Sequence, residues 1–387
     1  MKIAILTPAF FHKCKEIHGE DYIVFGGAER YTVDFCHFLQ SRGHQVDVYQ
    51  YIDNTKVIDG NTKRIKTSQI KKQFAGINFY LIPDTRWEYN TNPELNRDFN
   101  EIVVANYNLA IYFTTYAAYP YAVSPSIAIC HGIYWDYAYS DAVNYTEDFR
   151  KEYMRRQLLG FTNPDVVVSV DSNTKRVIQA IQPGLERKIE VVYNYVDTEK
   201  FKPLESEKRN WERLRVLLPR RLTILRGSNE FIRASRECPD FDFIAIGQSA
   251  DPDNFNMMKK WGETTKNLRF DWRPLEGMEE LYQQADIAVI PTKSCEGLAM
   301  SLLESMASGL PVITTHAGGL CDAVIDGYNT IVFDPVKNNL SQIIRFLADN
   351  PKAREVMGKR NREIACDCFD IKIWYTRWDQ ILRGFGA

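Results

Sequence analysis

Short apolar runs recur along the whole chain, most of them followed by a turn rich in glycine, proline or charge and then by a stretch with helical spacing. In the first half, Lys2–Thr7, Val46–Gln50, Ile77–Ile82, Leu109–Phe113, Ile127–His131, Asp165–Val170 and Ile189–Tyr193 read as strands. Their near-continuous Val, Ile, Leu and aromatic content is the pattern of strands buried on both faces of a parallel sheet. Between them the spacing predicts helices from Ala28 to about Arg42, stopped by Gly43-His44, over Pro93–Ala105 and over Ser172–Ile181. The polar tract Glu205–Arg213 reads as a linker with local helix propensity. The second half opens with strands at Leu214–Pro219, Phe241–Gly247, Leu268–Phe270, Ile287–Ile290, Val312–Thr315 and Thr330–Phe333. Helices fall between them: one ends at Cys238, and others cover Met257–Trp261, Met278–Ala285, Leu340–Asp349 and Ala353–Cys368. Gly318-Gly319 reads as a turn into a further helix, and the tail Ile371–Leu382 as a helix whose Trp374, Tyr375 and Trp378 pack against another part of the protein. Alternating β and α in both halves predicts an α/β chain of two doubly wound domains with a cleft between them.

Composition narrows the class without changing that picture. At 387 residues the chain has the length of two domains, at roughly 150 residues each. Its net charge of -2 disfavours a nucleic-acid partner on global charge. The cysteines, at 14, 36, 130, 238, 295, 321, 366 and 368, form no ladder of metal-ligand spacings. With an opening apolar run too short for a signal peptide, they read as reduced cytosolic thiols. No run of about 20 apolar residues predicts a membrane-spanning helix. Thr62–Phe74 carries Lys63, Arg64, Lys66, Lys71 and Lys72 among apolar residues. Two readings stand for it: a basic amphipathic segment touching an anionic membrane, and a solvated helix face.

Candidate chemistry gathers on the turns. Glu296 and Glu304 lie eight positions apart, with a Gly-led loop running into a helix between them. Eight residues is close to a whole number of helical turns, which predicts that both carboxylates face one side. The backbone from Gly297 through Leu298 and Ala299 to Met300 offers N–H groups at a helix start, where an anion is favoured. An anion site beside two carboxylates suits a sugar nucleotide; the plain alternative is a capped amphipathic helix with Glu304 facing solvent. Gly26-Gly27 at the first helix start would let a ligand approach the backbone closely, or would only serve helix entry. His131-Gly132 ends a strand, where functional groups of open α/β sheets gather. Arg221 and Arg226 open the second domain and can neutralise a diphosphate by forked hydrogen bonds. Tyr134–Tyr145 lines an acceptor cleft or forms an ordinary loop.

Taken together these motifs resemble the retaining glycosyltransferases of family 4, over nearly the whole chain. The most specific piece is Glu296-x7-Glu304 followed by Ser308-Gly-Leu-Pro-Val-Ile313. Supporting pieces are Gly26-Gly27-Ala-Glu-Arg30, His131-Gly132, Asn194-x-Val-Asp197 with Phe201-x-Pro203, Arg221-Leu, Arg226-Gly227, and Ala317-Gly-Gly-Leu320 before Asp326-Gly327. The resemblance implies the GT-B fold of two facing Rossmann-like domains, residues 1–200 plus 370–387 on the acceptor side and 201–369 on the donor side. It implies transfer of a hexose, glucose from UDP-glucose as the best choice, to a glycan or lipid-linked acceptor in polysaccharide biosynthesis. Retention at the anomeric carbon and no metal or other cofactor are part of the same expectation, as is a cytoplasmic location that extends to the inner face of the membrane. Glu304 would bind the ribose, and Glu296 with the 297–300 backbone the sugar and phosphate. Arg221 and Arg226, helped by the Gly27 N–H, would take the diphosphate, and His131 would sit near the sugar. One departure stands out: the family usually has Gly-Arg and then Lys-Gly, where this chain has Arg220-Arg221 and Arg226-Gly227. Two other functions stay open, a sugar-nucleotide epimerase or hydrolase and a non-catalytic sugar-nucleotide-binding partner.

Overall fold

The computed structural model describes the chain except residues 8–9, 12–25, 54, 59–60, 65–69, 85–92, 134, 136–146, 206–209, 247–251, 272–276, 295 and 387. In chain order its strands are β1 (Lys2–Thr7), β2 (Gln45–Asp53), β3 (Thr55–Ile58), β4 (Asn61–Arg64), β5 (Ile70–Phe74), β6 (Ile77–Asp84), β7 (Leu109–Tyr112) and β8 (Ser126–Cys130). They continue with β9 (Val166–Ser169), β10 (Ile189–Val191), β11 (Arg215–Leu218), β12 (Asp242–Ala245), β13 (Leu268–Phe270), β14 (Ile287–Ile290), β15 (Val312–Thr314) and β16 (Thr330–Val332). The first sheet runs β10-β9-β8-β7-β1-β2-β6-β5, parallel except for β5, which pairs antiparallel with β6. The second sheet runs β13-β12-β11-β14-β15-β16 and is parallel throughout. Strands such as β7, β8 and β14 are buried at every position, which is why their sequences show no alternation.

Strand order locates the crevices. In the first sheet the chain reverses its direction of winding at β1, which lies between β7 and β2. In the second it reverses at β11, between β12 and β14. Ligands of open α/β sheets bind at such switch points, outside the carboxyl ends of the strands. The loops concerned lead into Gly26, follow β8 at His131, and follow β11 and β14 at Arg220 and Glu296.

The chain passes between the two sheets twice at one place. Val196 bridges Asp370 in parallel, with Val196 N donating to Phe369 O at 2.9 Å and Ile371 N to Val196 O at 3.0 Å. The last helix, Ile371–Arg383, then lies on the first domain. Its Trp378 ring centroid is 4.4 Å from that of Phe35, and Trp374 is 5.3 Å from Tyr31, within one core that also holds Ile3, Ile5 and Phe38. Large-to-small truncation of either tryptophan would cost about 3–5 kcal/mol. The aromatic tail therefore clamps the first domain to the crossing point.

Several expectations change here. The basic 62–74 stretch is not a helix face: it contributes β4 and the edge strand β5, with residues 65–69 outside the described region. Lys71 and Lys72 lie over the rings of Tyr80 and Phe11, at 5.5 and 5.2 Å from their centroids, rather than on an amphipathic helix. Gly318-Gly319 leads into one 3-10 turn, Gly318–Asp322, not a full helix. A helix at Glu147–Thr162 has no counterpart in the apolar pattern, because its sequence is dominated by charged and polar residues. The stretch Tyr134–Tyr145, apart from Trp135, and the linker centre, 206–209, fall outside the described residues, as do Cys14 and Cys295. The six described cysteines are free thiols. Among the described residues no helix is long and apolar enough to cross a membrane.

Candidate active site

The two switch points face each other across a cavity of about 340 Å³, within the range of small-molecule sites. Every residue given a catalytic or donor-binding role from the sequence lines it: Gly26, Gly27 and His131 from the first domain, and Arg221, Arg226, Glu296, Gly297, Leu298, Ala299, Met300 and Glu304 from the second.

The second domain supplies most of the charge. After β11 the chain turns through Pro219 to Arg220 and Arg221, then through a 3-10 turn, Ile224–Arg226. Arg220 and Arg226 both pair with Oε2 of Glu296, on the loop after β14. Arg220 also donates to Ser301 Oγ at 3.0 Å. Burial, with Arg221 beside it, pulls the Arg220 pKa down to about 10, so the group is still a cation at neutral pH. The helix Met300–Ala307 begins with no side-chain cap on Ala299; Leu302 N donates to Ala299 O at 3.0 Å, so the donors ahead of it are the ones a helix-start anion could use.

Glu304 does not face solvent. Its residue is 4% exposed, its Oε2 accepts from Tyr282 Oη at 2.6 Å, and its Oε1 pairs with Arg30 of the first domain. The plain capped-helix reading is thus excluded by burial. Both carboxylates do face one cavity; because the helix starts at Met300, Glu296 reaches it through its loop and its two arginines rather than through helical turns.

The first domain closes the cavity by close backbone approach. A Cβ on Gly26 would lie 2.3 Å from Arg221 Nη2, so the guanidinium rests directly on that glycine. At Gly27 the nearest atom would be Met300 Sδ at 3.6 Å, which leaves this backbone accessible from the cavity. Gly132 has φ 127°, and its Cβ would lie 2.8 Å from Gly297 N, so the two facing loops touch through their main chains. Just before it, His131 packs between Tyr31 and Phe113, at 5.2 and 4.6 Å between ring centroids. Burial pushes its pKa down to about 4, against a hydrogen bond to the Phe113 backbone and the charge of Glu29. Its Nε2 is buried without a partner among the described residues. A neutral imidazole with one unused ring nitrogen therefore sits at the cavity wall.

Four contributors were not assigned a role from the sequence: Arg220, Arg30, Tyr282 and Asn194, whose Nδ2 donates to Leu298 O at 2.5 Å. Arg220 is visible only as one of two adjacent arginines, and burial alone separates them. Arg30 and Tyr282 reach Glu304 from positions 274 and 22 residues away, with no local pattern to mark them.

Residues 25–200 match the family described as Glycosyltransferase Family 4, and residues 200–364 match Glycosyl transferases group 1. The two matches together span residues 25–364, and the chain has the GT-B fold of two parallel-sheet α/β domains. Its structure is similar to that of a sucrose-phosphate synthase from Thermosynechococcus elongatus, with TM-score 0.76 and 16% identity over 100% of this chain and 99% of that one. It is similar also to Anabaena HepE in complex with UDP-glucose, with TM-score 0.73 and 17% identity over 99% of this chain and 100% of that one. A D-inositol 3-phosphate glycosyltransferase of Corynebacterium diphtheriae is 29% identical over 152 residues, 36% of this chain and 35% of that protein. Other curated relatives are matched over 24% and 59% of their own length. The structural likenesses, at these identities, speak to the fold.

Proposed function

We propose that the chain transfers a hexose from a nucleoside diphosphate sugar, with retention at the anomeric carbon, to a glycan or lipid-linked acceptor. The observation that carries this reading is the convergence of Arg221, Arg226, Glu296, Glu304 and an uncapped helix start on one cavity between two Rossmann-like domains. Such a site offers cations to a diphosphate and carboxylates to hydroxyls. UDP-glucose is the first choice of donor, and the similar fold of HepE holding UDP-glucose supports trying it first.

In this reading residues 201–369 bind the donor, and residues 1–200 with 370–387 form the acceptor side. Glu304 accepts from the ribose hydroxyls, and Glu296 from those of the transferred sugar. The 297–300 backbone and Gly27 N–H donate to phosphate. As the bond from the anomeric carbon to the diphosphate oxygen breaks, negative charge grows on the diphosphate, and Arg221 and Arg226 stabilise it. The acceptor oxygen bonds to the anomeric carbon on the face the diphosphate leaves, and its proton passes to the departing diphosphate. His131, neutral at physiological pH, hydrogen-bonds the sugar rather than supplying a proton. The arginines provide the electrostatic role that a divalent metal would otherwise take, so activity is expected to survive chelation.

Incubation with a panel of nucleotide sugars, followed by proton NMR of the transferred or slowly released sugar, tests the reading. An α-linked donor should give a first-formed α product. A β product overturns retention, and rapid stoichiometric conversion of donor without acceptor identifies an epimerase or hydrolase instead.

A further inference from the structure

Glu29 and Arg30 are neighbours of opposite charge at the start of the Gly27–Ser41 helix, and both reach across the cleft. The Glu29 carboxylate is buried, 4% exposed, and its Oε2 accepts from Gly26 N at 2.9 Å and from Arg221 Nη2 at 2.5 Å. An anion held by a helix-start N–H and a guanidinium is bound as a phosphate would be. Arg30 makes the reciprocal contact, its guanidinium on Glu304, whose other oxygen Tyr282 holds. Successive residues of a helix point in different directions, so one helix turn covers two separate parts of the donor site.

We propose that Glu29 is a built-in occupant of the diphosphate position on Arg221, and that with Arg30 it forms a charge latch across the cleft which the donor exchanges for its own groups. The proposal rests on the donor-site reading above. In the empty site four guanidiniums, those of Arg30, Arg220, Arg221 and Arg226, face the three carboxylates of Glu29, Glu296 and Glu304. That leaves an excess of one positive charge, less than a sugar-linked diphosphate brings with a negative charge on each phosphate. A diphosphate entering beside all three carboxylates would meet like charge in a partly buried site, so one of them must give way. Glu29 is the one with a partner in its own helix: its Oε2 also accepts from Gly26 N, so on losing Arg221 it still caps the helix. Glu296 has no such retreat, since its partners Arg220 and Arg226 both lie on the neighbouring loop. The exchange makes domain contact and donor occupancy competing uses of the same arginine.

The test is calorimetric titration of inorganic pyrophosphate and of UDP into the wild type, Glu29→Gln and Arg30→Gln at low ionic strength, where such charges are least screened. Glutamine keeps an acceptor for Gly26 N, so the helix start survives Glu29→Gln, and a thermal midpoint close to that of the wild type checks this. Glu29→Gln should bind both pyrophosphate and UDP more tightly, by about fivefold or more, the lower end of typical coupling between competing occupants. Arg30→Gln, which frees Glu304, should tighten UDP more than pyrophosphate. Unchanged or weaker pyrophosphate binding by Glu29→Gln, with a wild type that binds it, overturns the latch. A wild type that binds neither pyrophosphate nor UDP overturns the donor-site reading beneath it.

Discussion

Arg226→Ala separates a structural from a catalytic role for the arginines on Glu296. The Arg226 side chain is 30% exposed, so its ion pair contributes about 0–1 kcal/mol to stability. Glu296 keeps Arg220, which is the more buried of its two partners, so the substitution strands no buried carboxylate. The thermal midpoint should therefore drop by no more than about 4 °C. Catalysis should respond far more. Removing one donor aimed at developing charge typically costs about 10²–10³ in kcat, roughly 2.7–4 kcal/mol. Arg221 and the helix start stay in place to hold the ground-state diphosphate, so donor affinity should fall less than kcat. The assay is initial-rate nucleotide release with donor varied, paired with a direct titration of donor into the variant. Unchanged kcat with a raised KM would mean that Arg226 contributes only uniform binding, and the electrostatic role assigned to it would be wrong.

Three further outcomes follow from the geometry. Tyr282→Phe leaves the shape of the site intact and removes the 2.6 Å donor to buried Glu304, a charged hydrogen bond worth about 1.5–3 kcal/mol; a thermal midpoint equal to that of the wild type would show that water replaces the hydroxyl. Burial, with Asp322 nearby and against its bonds to Thr174, pushes the Asp171 pKa up to about 7, so between about pH 4 and that value the native state keeps a proton that the unfolded chain has released. Stability from this group falls as pH rises through that window, and Asp171→Asn should remove the fall; parallel pH profiles of chemical denaturation for the two proteins would contradict it. His131, pushed down to about 4, should show an NMR titration midpoint well below 6, and a midpoint near the ordinary 6.5 would mean that solvent reaches its ring.

Much of the fold was legible because parallel strands buried on both faces write themselves as unbroken apolar runs. Lys2–Thr7, Ile127–His131 and Ile287–Ile290 are such cases, and the structure places a strand in each. The stretch 62–74 failed for the converse reason: an edge strand with two adjacent lysines carries no such run, and its charges mimic a helix face. The Glu147–Thr162 helix was invisible because its polar face dominates the pattern. At the site, the residues that announce themselves locally were found: the glycine turns, the two spaced glutamates, the arginines after a strand. Their partners were not. Glu304 is paired with Arg30 of the other domain, and Arg221 with Glu29, 192 positions away in the chain. Such pairs depend on how two domains meet, which no local spacing records. The aromatic tail lies between these extremes: Trp374 and Trp378 signalled packing, while their partners Tyr31 and Phe35 became known only with the fold.

The claim at the centre is that this cavity holds a nucleoside diphosphate sugar. A thermal-shift panel of UDP-glucose, UDP-N-acetylglucosamine, GDP-mannose and their parent diphosphates tests it most directly, run on the wild type and on Arg221→Ala. A ligand at about 100 times its dissociation constant adds about 2.7 kcal/mol, a shift of several degrees. The expected result is a raised midpoint with one nucleotide class and a smaller rise in the variant. No shift with any member of the panel, or an equal shift in both proteins, would contradict it.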